Sequence, residues 1–240
     1  MNARLELPAV VVSPHLDDAV LSCGRVLAVT SAVVVATFFA GTPPAGTPLT
    51  SWDQAAGFDA GDDPIGLRVA EDDAALRVLG ATPRRFNFLD DQYRGGLAPV
   101  AEMTEALGDL LDVVQPGSVL LPAGNGHADH LACLQAGLPL LPIRSTIAWF
   151  IYEDSTYRRG VPFPPRRLAT DGTPAVVAQP CALPFDPDPE LKRSAIACYR
   201  SQVRAFMHYR RRLLAEADID EQYWRLELAP AASRVAWSEA

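Results

Sequence analysis

Four short apolar runs organise much of the chain: AVVVS at Ala9–Ser13, VVVATFF at Val33–Phe39, SVLLP at Ser118–Pro122 and TIAWFIY at Thr146–Tyr152. They are rich in β-branched and aromatic residues and bounded by turn formers, which predicts short, buried β-strands. RRFNFL at Arg84–Leu89 offers another strand, and Ala175–Ala178 one more in an otherwise proline-rich segment from Tyr157 to Pro189. Helical candidates lie between them: about Asp18–Val29, Ile65–Leu79 closed by Gly80, Pro99–Gln115, Leu131–Leu141 ended by Pro139 and Pro142, and a closing helix from Pro189 to about Leu214. Parallel strands need crossover connections, so this alternation predicts a mostly parallel sheet covered on both faces. The expected fold class is α/β, a Rossmann-like three-layer architecture in one domain over residues 1–240. The stretch from Gly41 to Pro64 exceeds an ordinary connection and is expected to form a loop at the rim of a site.

Composition narrows the picture. At 240 residues, 49% hydrophobic and 21% charged, the chain can bury one sizeable core. A formal net charge of −8 argues against a nucleic-acid partner, which would call for a basic face. The basic cluster Arg210, Arg211 and Arg212 reads as the solvated face of the closing helix. The first residues lack the pattern of a secretory signal, and the longest apolar stretch, Val26–Ala40, is too short and too interrupted by Thr and Ser to span a bilayer. A cytoplasmic protein without a membrane span is expected. The four cysteines show no paired spacing, so they are expected to be reduced and packed as small apolar groups.

The chemistry is concentrated at two strand ends. After the first strand come His15, Asp17 and Asp18; after SVLLP come His127, Asp129 and His130, so three of the four histidines fall there. Histidine nitrogen and carboxylate oxygen are the donors of a catalytic zinc, which takes three protein ligands and keeps a position for water. If the two strands are neighbours, His15, Asp18 and one histidine of the second pair can converge on one ion. Asp17 is then free to take a proton from water whose pKa the ion has lowered, and the remaining histidine can donate to the developing oxyanion or the leaving amine. That set fits amide hydrolysis.

SPHLDDAVLSCG, the Arg68-x-x-Glu71 pair and GHADH at Gly126–His130 resemble the LmbE-like, or PIG-L, family of zinc-dependent N-deacetylases over about residues 9–135. The resemblance implies removal of an acetyl group from an N-acetylglucosamine-type conjugate. It implies that His15, Asp18 and His130 bind Zn2+, or another divalent ion such as Fe2+; that Asp17 is the general base and His127 the electrostatic or general-acid histidine; and that Arg68 and Asp90 contact substrate. The partner is a small-molecule amino sugar, and an oligomer is compatible with the sequence. The pattern departs from the family's in four places: Leu16 stands for a proline, Ala19 for a glutamate, Arg25 for the second glycine of a pair, and Asn125 near a tyrosine that some relatives supply to the oxyanion. KRSAIACYRSQ, Lys192–Gln202, is similar to a late family helix that packs near the pocket. With Arg25 and the Gly41–Pro64 loop unplaced, a second reading keeps the metal but makes the chain an amidase for a non-sugar N-acyl small molecule in specialised metabolism.

Overall fold

The computed structural model describes residues 2–157, 167–168, 175–209 and 213–229. The first five strands are β1 (Ala9–Ser13), β2 (Val33–Thr37), β3 (Thr82–Arg85), β4 (Ser118–Pro122) and β5 (Ala148–Tyr152), all paired in parallel in the order β3-β2-β1-β4-β5. Three antiparallel strands, β6 (Arg167–Leu168), β7 (Val176–Cys181) and β8 (Tyr223–Leu228), extend the sheet from β5 in the order β8-β7-β6. The sheet is thus mixed but mostly parallel among these eight strands. Strand β8, between β5 and β7, comes from YWRLEL, a segment without an expected element.

The alternation of side chains along β1 divides the core into two layers. Ala9 and Val11 face α1 (Asp18–Leu27), α3 (Pro64–Val78) and α6 (Glu190–Ile196), packing with Leu21, Leu76 and Ile196. Val10 and Val12 face α4 (Val100–Val114) and α5 (Ala128–Gly137), packing with Leu107 and Cys133. Sheet between helices is the three-layer arrangement expected. All ten residues of α1 are buried, although a helix on a sheet ordinarily keeps a polar outer face. The outer side of α1 is covered by α6 and by the segment before β8: Lys192 and Glu221 form a buried ion pair at 2.8 Å, and the Glu221 carboxylate also accepts from the backbone of Arg25 and Val26. Lys192 lies so close that a Cβ at Gly24 would sit 2.7 Å from its Cγ. Arg25 neither obstructs this packing nor reaches a cleft. Its guanidinium donates to the carbonyls of Asp186 and Pro187 and lies over the Phe185 ring.

Three expected elements take a different form. The Gly41–Pro64 stretch contains a helix, α2 (Ser51–Ala56), started by a capping box in which Thr50 and Asp53 satisfy each other's free amides. The RRFNFL strand stops at Arg85, and beyond it only Asn87 makes an antiparallel bridge, to Phe39. The closing helix is two helices, α6 and α7 (Arg200–His208). It breaks because α3 supplies a better arrangement: the buried Tyr199 hydroxyl donates to Asp72, and Glu71 accepts from the amide and hydroxyl of Ser201 in the first turn of α7. Glu71 therefore caps a helix rather than pairing with Arg68. Arg210–Arg212 lie outside the described residues. The cysteines are free, with Cys23 and Cys133 buried as expected. No helix among the described residues is long and apolar enough to cross a membrane.

Candidate active site

The strand order places a topological switch beside β1: the chain leaves it toward β2 and β3, then returns on its other side as β4. In open α/β sheets, ligand sites form outside the strand ends at such a point. The β1–β4 ladder stops at Val11–Leu120, and Val12 instead gives its carbonyl to the Tyr152 hydroxyl, 2.7 Å away. The segments carrying both histidine clusters emerge where the two strands part.

After β1, Ser13 holds the turn by donating to the His15 carbonyl and accepting from the Ala19 amide. One Asp18 oxygen, Oδ2, accepts from the His15 amide at 2.9 Å and lies 3.0 Å from His15 Nδ1 and 3.2 Å from His130 Nε2. A single carboxylate thus sits between imidazoles that are 115 positions apart in sequence, and the two strands are neighbours, as that convergence requires. The far nitrogen of each ring is also held. His15 Nε2 lies 3.2 Å from Asp129 Oδ2, and His130 Nδ1 lies 2.8 Å from Asp154 Oδ1. These carboxylates are themselves fixed: Asp129 accepts from the Asp91 amide and Arg94, and Asp154 from the Asn125 amide. Carboxylates on the outer nitrogens set the protons there and leave His15 Nδ1 and His130 Nε2 as lone-pair donors.

The residues present fit a divalent cation. His130 Nε2 is buried and makes no hydrogen bond, and the ligand atoms of His15, Asp18 and His130 lie within 4.8 Å of one another. His15, His127 and Asp129 meet the same distance test, but His127 Nδ1 is spent on the Asp129 amide and both Asp129 oxygens are spent on donors. The first set is therefore the better one. The carboxylates around the two rings favour positive charge at this point. Burial opposes a charged His130, yet Asp18 and Asp154 push it up to about 9; His15, also buried, is raised well above its ordinary value by Asp90, Asp129 and Asp18. Burial likewise opposes ionised Asp18, but the two histidines hold it well below the usual carboxylate range.

Asp17 precedes α1 and makes no capping hydrogen bond to it, so its carboxylate is not spent on the helix. It lines a cleft of 310 Å³ together with His15, Asp18 and His127. Burial and then the neighbouring Asp18 push its carboxyl up to about 8. His127 ends the β4 loop as the cap of α5, and its Nδ1 accepts from the Asp129 amide, which leaves the ring proton on Nε2. Burial, with His15 and His130 nearby, lowers its pKa and keeps it neutral at pH 7. Gly126, at φ 71°, lets the loop pass under Tyr157, whose ring a Cβ would meet at 2.6 Å.

Arg68 and Asp90 also line this cleft. Asp90 accepts from the Gln92 amide and side chain and lies 3.9 Å from His15 Nε2. Arg68 is buried, with its guanidinium donating to Asp53 at 2.8 Å and to the Tyr93 hydroxyl at 3.3 Å. Asn125 gives its backbone amide to Asp154, and its Nδ2 is buried without a hydrogen-bond partner. Sequence reasoning gave no role to Asp129, Arg94, Asp53 or Asp154. Asp154 follows the buried strand AWFIY and so carried the same strand-end signal as the two clusters; the Asp53–Arg68 pair had none.

A search of curated proteins finds no match. Among solved structures, a triple mutant of a deacetylase of the teicoplanin biosynthetic pathway is 26% identical with a TM-score of 0.74, covering 93% of this chain and 99% of that chain. The A40926 pseudoaglycone deacetylase Dbv21 is also 26% identical, with a TM-score of 0.72 over 95% of this chain and 100% of that one. The fold is shared as well with GalB, the 4-carboxy-2-hydroxymuconate hydratase of Pseudomonas putida, at 16% identity and a TM-score of 0.55 over 97% of this chain and 99% of that chain. One architecture therefore carries more than one reaction, and the site segments must decide the family. The family model PIG-L, GlcNAc-PI de-N-acetylase, matches residues 10–141, more than half the chain and both histidine clusters. By that match, the chain belongs to the PIG-L family of de-N-acetylases.

Proposed function

We propose that this chain, acting as one domain over residues 1–240, hydrolyses the N-acetyl group of an amino-sugar conjugate. The observation that carries the reading is the Asp18 carboxylate set between His15 and His130, with Asp17 beside it unspent. His15, Asp18 and His130 would hold a divalent ion, zinc or another first-row cation such as Fe2+, which when bound supplies a Lewis acid and lowers the pKa of water. Asp17 accepts a proton as the water oxygen bonds to the acetamide carbon; the positive charge of an ion held by its neighbours would favour the ionised carboxylate that a base needs, against the burial and the Asp18 charge that raise its proton affinity. His127, neutral and protonated at Nε2, donates to the carbonyl oxygen as it gains charge. Asp17 returns its proton to the nitrogen as the C–N bond breaks, giving acetate and an amine. Asp90 and Arg68, which line the same cleft, orient the hydroxyls of the sugar. The GlcNAc group in the family model's description supports this substrate class.

The test is acetate release from N-acetylglucosamine glycosides by purified protein loaded with zinc. Activity is expected to disappear on chelation and to return with Zn2+ or Fe2+. Protein carrying stoichiometric metal that releases no acetate from any N-acetyl amino sugar would refute the reading.

Asp154 touches neither cleft nor substrate and acts through His130. Asp154→Ala is expected to weaken zinc binding by about 10–100-fold, the usual cost of losing an outer-shell carboxylate. Chelator competition measures this directly, and Asp154→Asn, which still accepts from a ring N–H, should recover most of the loss. Unchanged affinity in both variants would remove the positioning role.

A further inference from the structure

Beside the carboxylates and imidazoles, the same cleft has a wall of different chemistry: Trp52 of α2, Ile65 of α3 and Phe206 of α7. We propose that this wall is a subsite for an uncharged, apolar group carried by the substrate next to its amide. The inference rests on the amide-hydrolysis reading above and adds the character of the substrate's remaining part.

Trp52 is held so that it offers only apolar surface. Its indole is stacked on Tyr209 at 5.4 Å and 7°, meets Phe206 edge-on at 5.1 Å, and has its N–H engaged by Gln202 Oε1 at 3.0 Å. A ring with its polar edge satisfied and two neighbours fixing its plane loses little freedom when a ligand packs on it. Ile65 and Phe206 are buried and add no polar atom.

The described charges around the cleft point the same way. An anionic group, such as the phosphate of a phosphoinositide, calls for cations with free donors. The charge of the Arg68 guanidinium is compensated by the fully buried Asp53, although its Nε has no hydrogen-bond partner and can still meet a neutral hydroxyl, and the charge of Arg94 is compensated by the fully buried Asp129. Asp90 and Asp91 also line the cleft and repel an anion. The short helix α2 does both jobs with adjacent residues: Asp53 occupies the Arg68 cation, and Trp52 supplies the aromatic face.

An apolar group could enter as the aglycone or as the acyl chain, and the experiment separates them. Dissociation constants are measured by calorimetry on metal-loaded Asp17→Asn protein, in which the wall is intact, for four ligands: methyl, octyl and phosphate derivatives at C1 of N-acetylglucosamine, and the methyl glycoside with N-hexanoyl in place of N-acetyl. Each buried methylene is worth up to roughly fourfold, so the octyl or the hexanoyl ligand is expected to bind at least about tenfold more tightly than the methyl glycoside. Whichever of the two does so identifies the source of the apolar group. The 1-phosphate is expected to bind more weakly than the methyl glycoside. Adding Trp52→Ala or, as a milder truncation checked for folding by circular dichroism, Ile65→Ala should lower the apolar preference to within about threefold. Methyl, octyl and hexanoyl ligands that bind equally, or a 1-phosphate that binds best, would overturn the proposal. Turnover of the same compounds by the wild-type protein reports separately on amide hydrolysis, so either reading can fail while the other stands.

Discussion

Asp17→Asn protein is expected to fold, to keep its metal and to lose about 10²–10⁴-fold in kcat for acetate release, the range a positioned general base contributes. The change is isosteric, and Asp17 caps no helix, so its loss removes little from the fold. Metal content by elemental analysis, beside the rate, separates loss of proton transfer from loss of the ion. A variant with full metal and a rate within a few-fold of wild type would show that Asp17 is not the base. The same substitution is expected to raise stability in the metal-free state. Burial and Asp18 raise the Asp17 carboxyl to about 8, so between about pH 4 and pH 8 the folded chain holds a proton that the unfolded chain has released. Stability falls with rising pH across that window, and asparagine has no such dependence. The Tm advantage of metal-free Asp17→Asn over metal-free wild type should therefore grow from pH 5 to pH 8.

The second large effect falls on His130. His130→Ala is expected to abolish stoichiometric metal binding, a loss well beyond the roughly 10–100-fold expected at Asp154. It also strands Asp154, which is 1% exposed and 2.8 Å from the ring. Removing one partner of a buried charged pair costs about 3–5 kcal/mol, so a clear drop in Tm should accompany the loss of metal. The double variant His130→Ala/Asp154→Ala should regain part of that stability, because no unpaired buried charge remains. Stability losses that simply add in the double variant would show that the two side chains are not coupled.

The parallel half of the sheet and the central site residues were legible because each depends on local pattern. Val10–Val12 cannot be read as anything but buried, and polar residues placed directly after such a strand announce a site. What escaped the sequence is held together by long-range contact. The break between α6 and α7 follows from Tyr199 reaching Asp72 and from Glu71 capping Ser201, partners about 130 positions away. The capping box of Thr50 and Asp53 was visible as residues, but the Gly and Pro around it made the stretch look like loop. Asp129 was seen, yet its task of fixing His15 depends on where Arg94 and the Asp91 amide arrive from the turn beyond β3. Arg25 looked anomalous only because its true partners, Asp186 and Pro187, lie far along the chain.

The buried hold of Lys192 and Glu221 on α1 bears on modularity. The portion that carries the family signature ends well before either residue, so transplanting it alone would leave the back of its first helix bare to water. Recombination or circular permutation that preserves this clasp keeps the catalytic half intact, whereas a swap that severs it must bring a replacement cover of matching shape and charge.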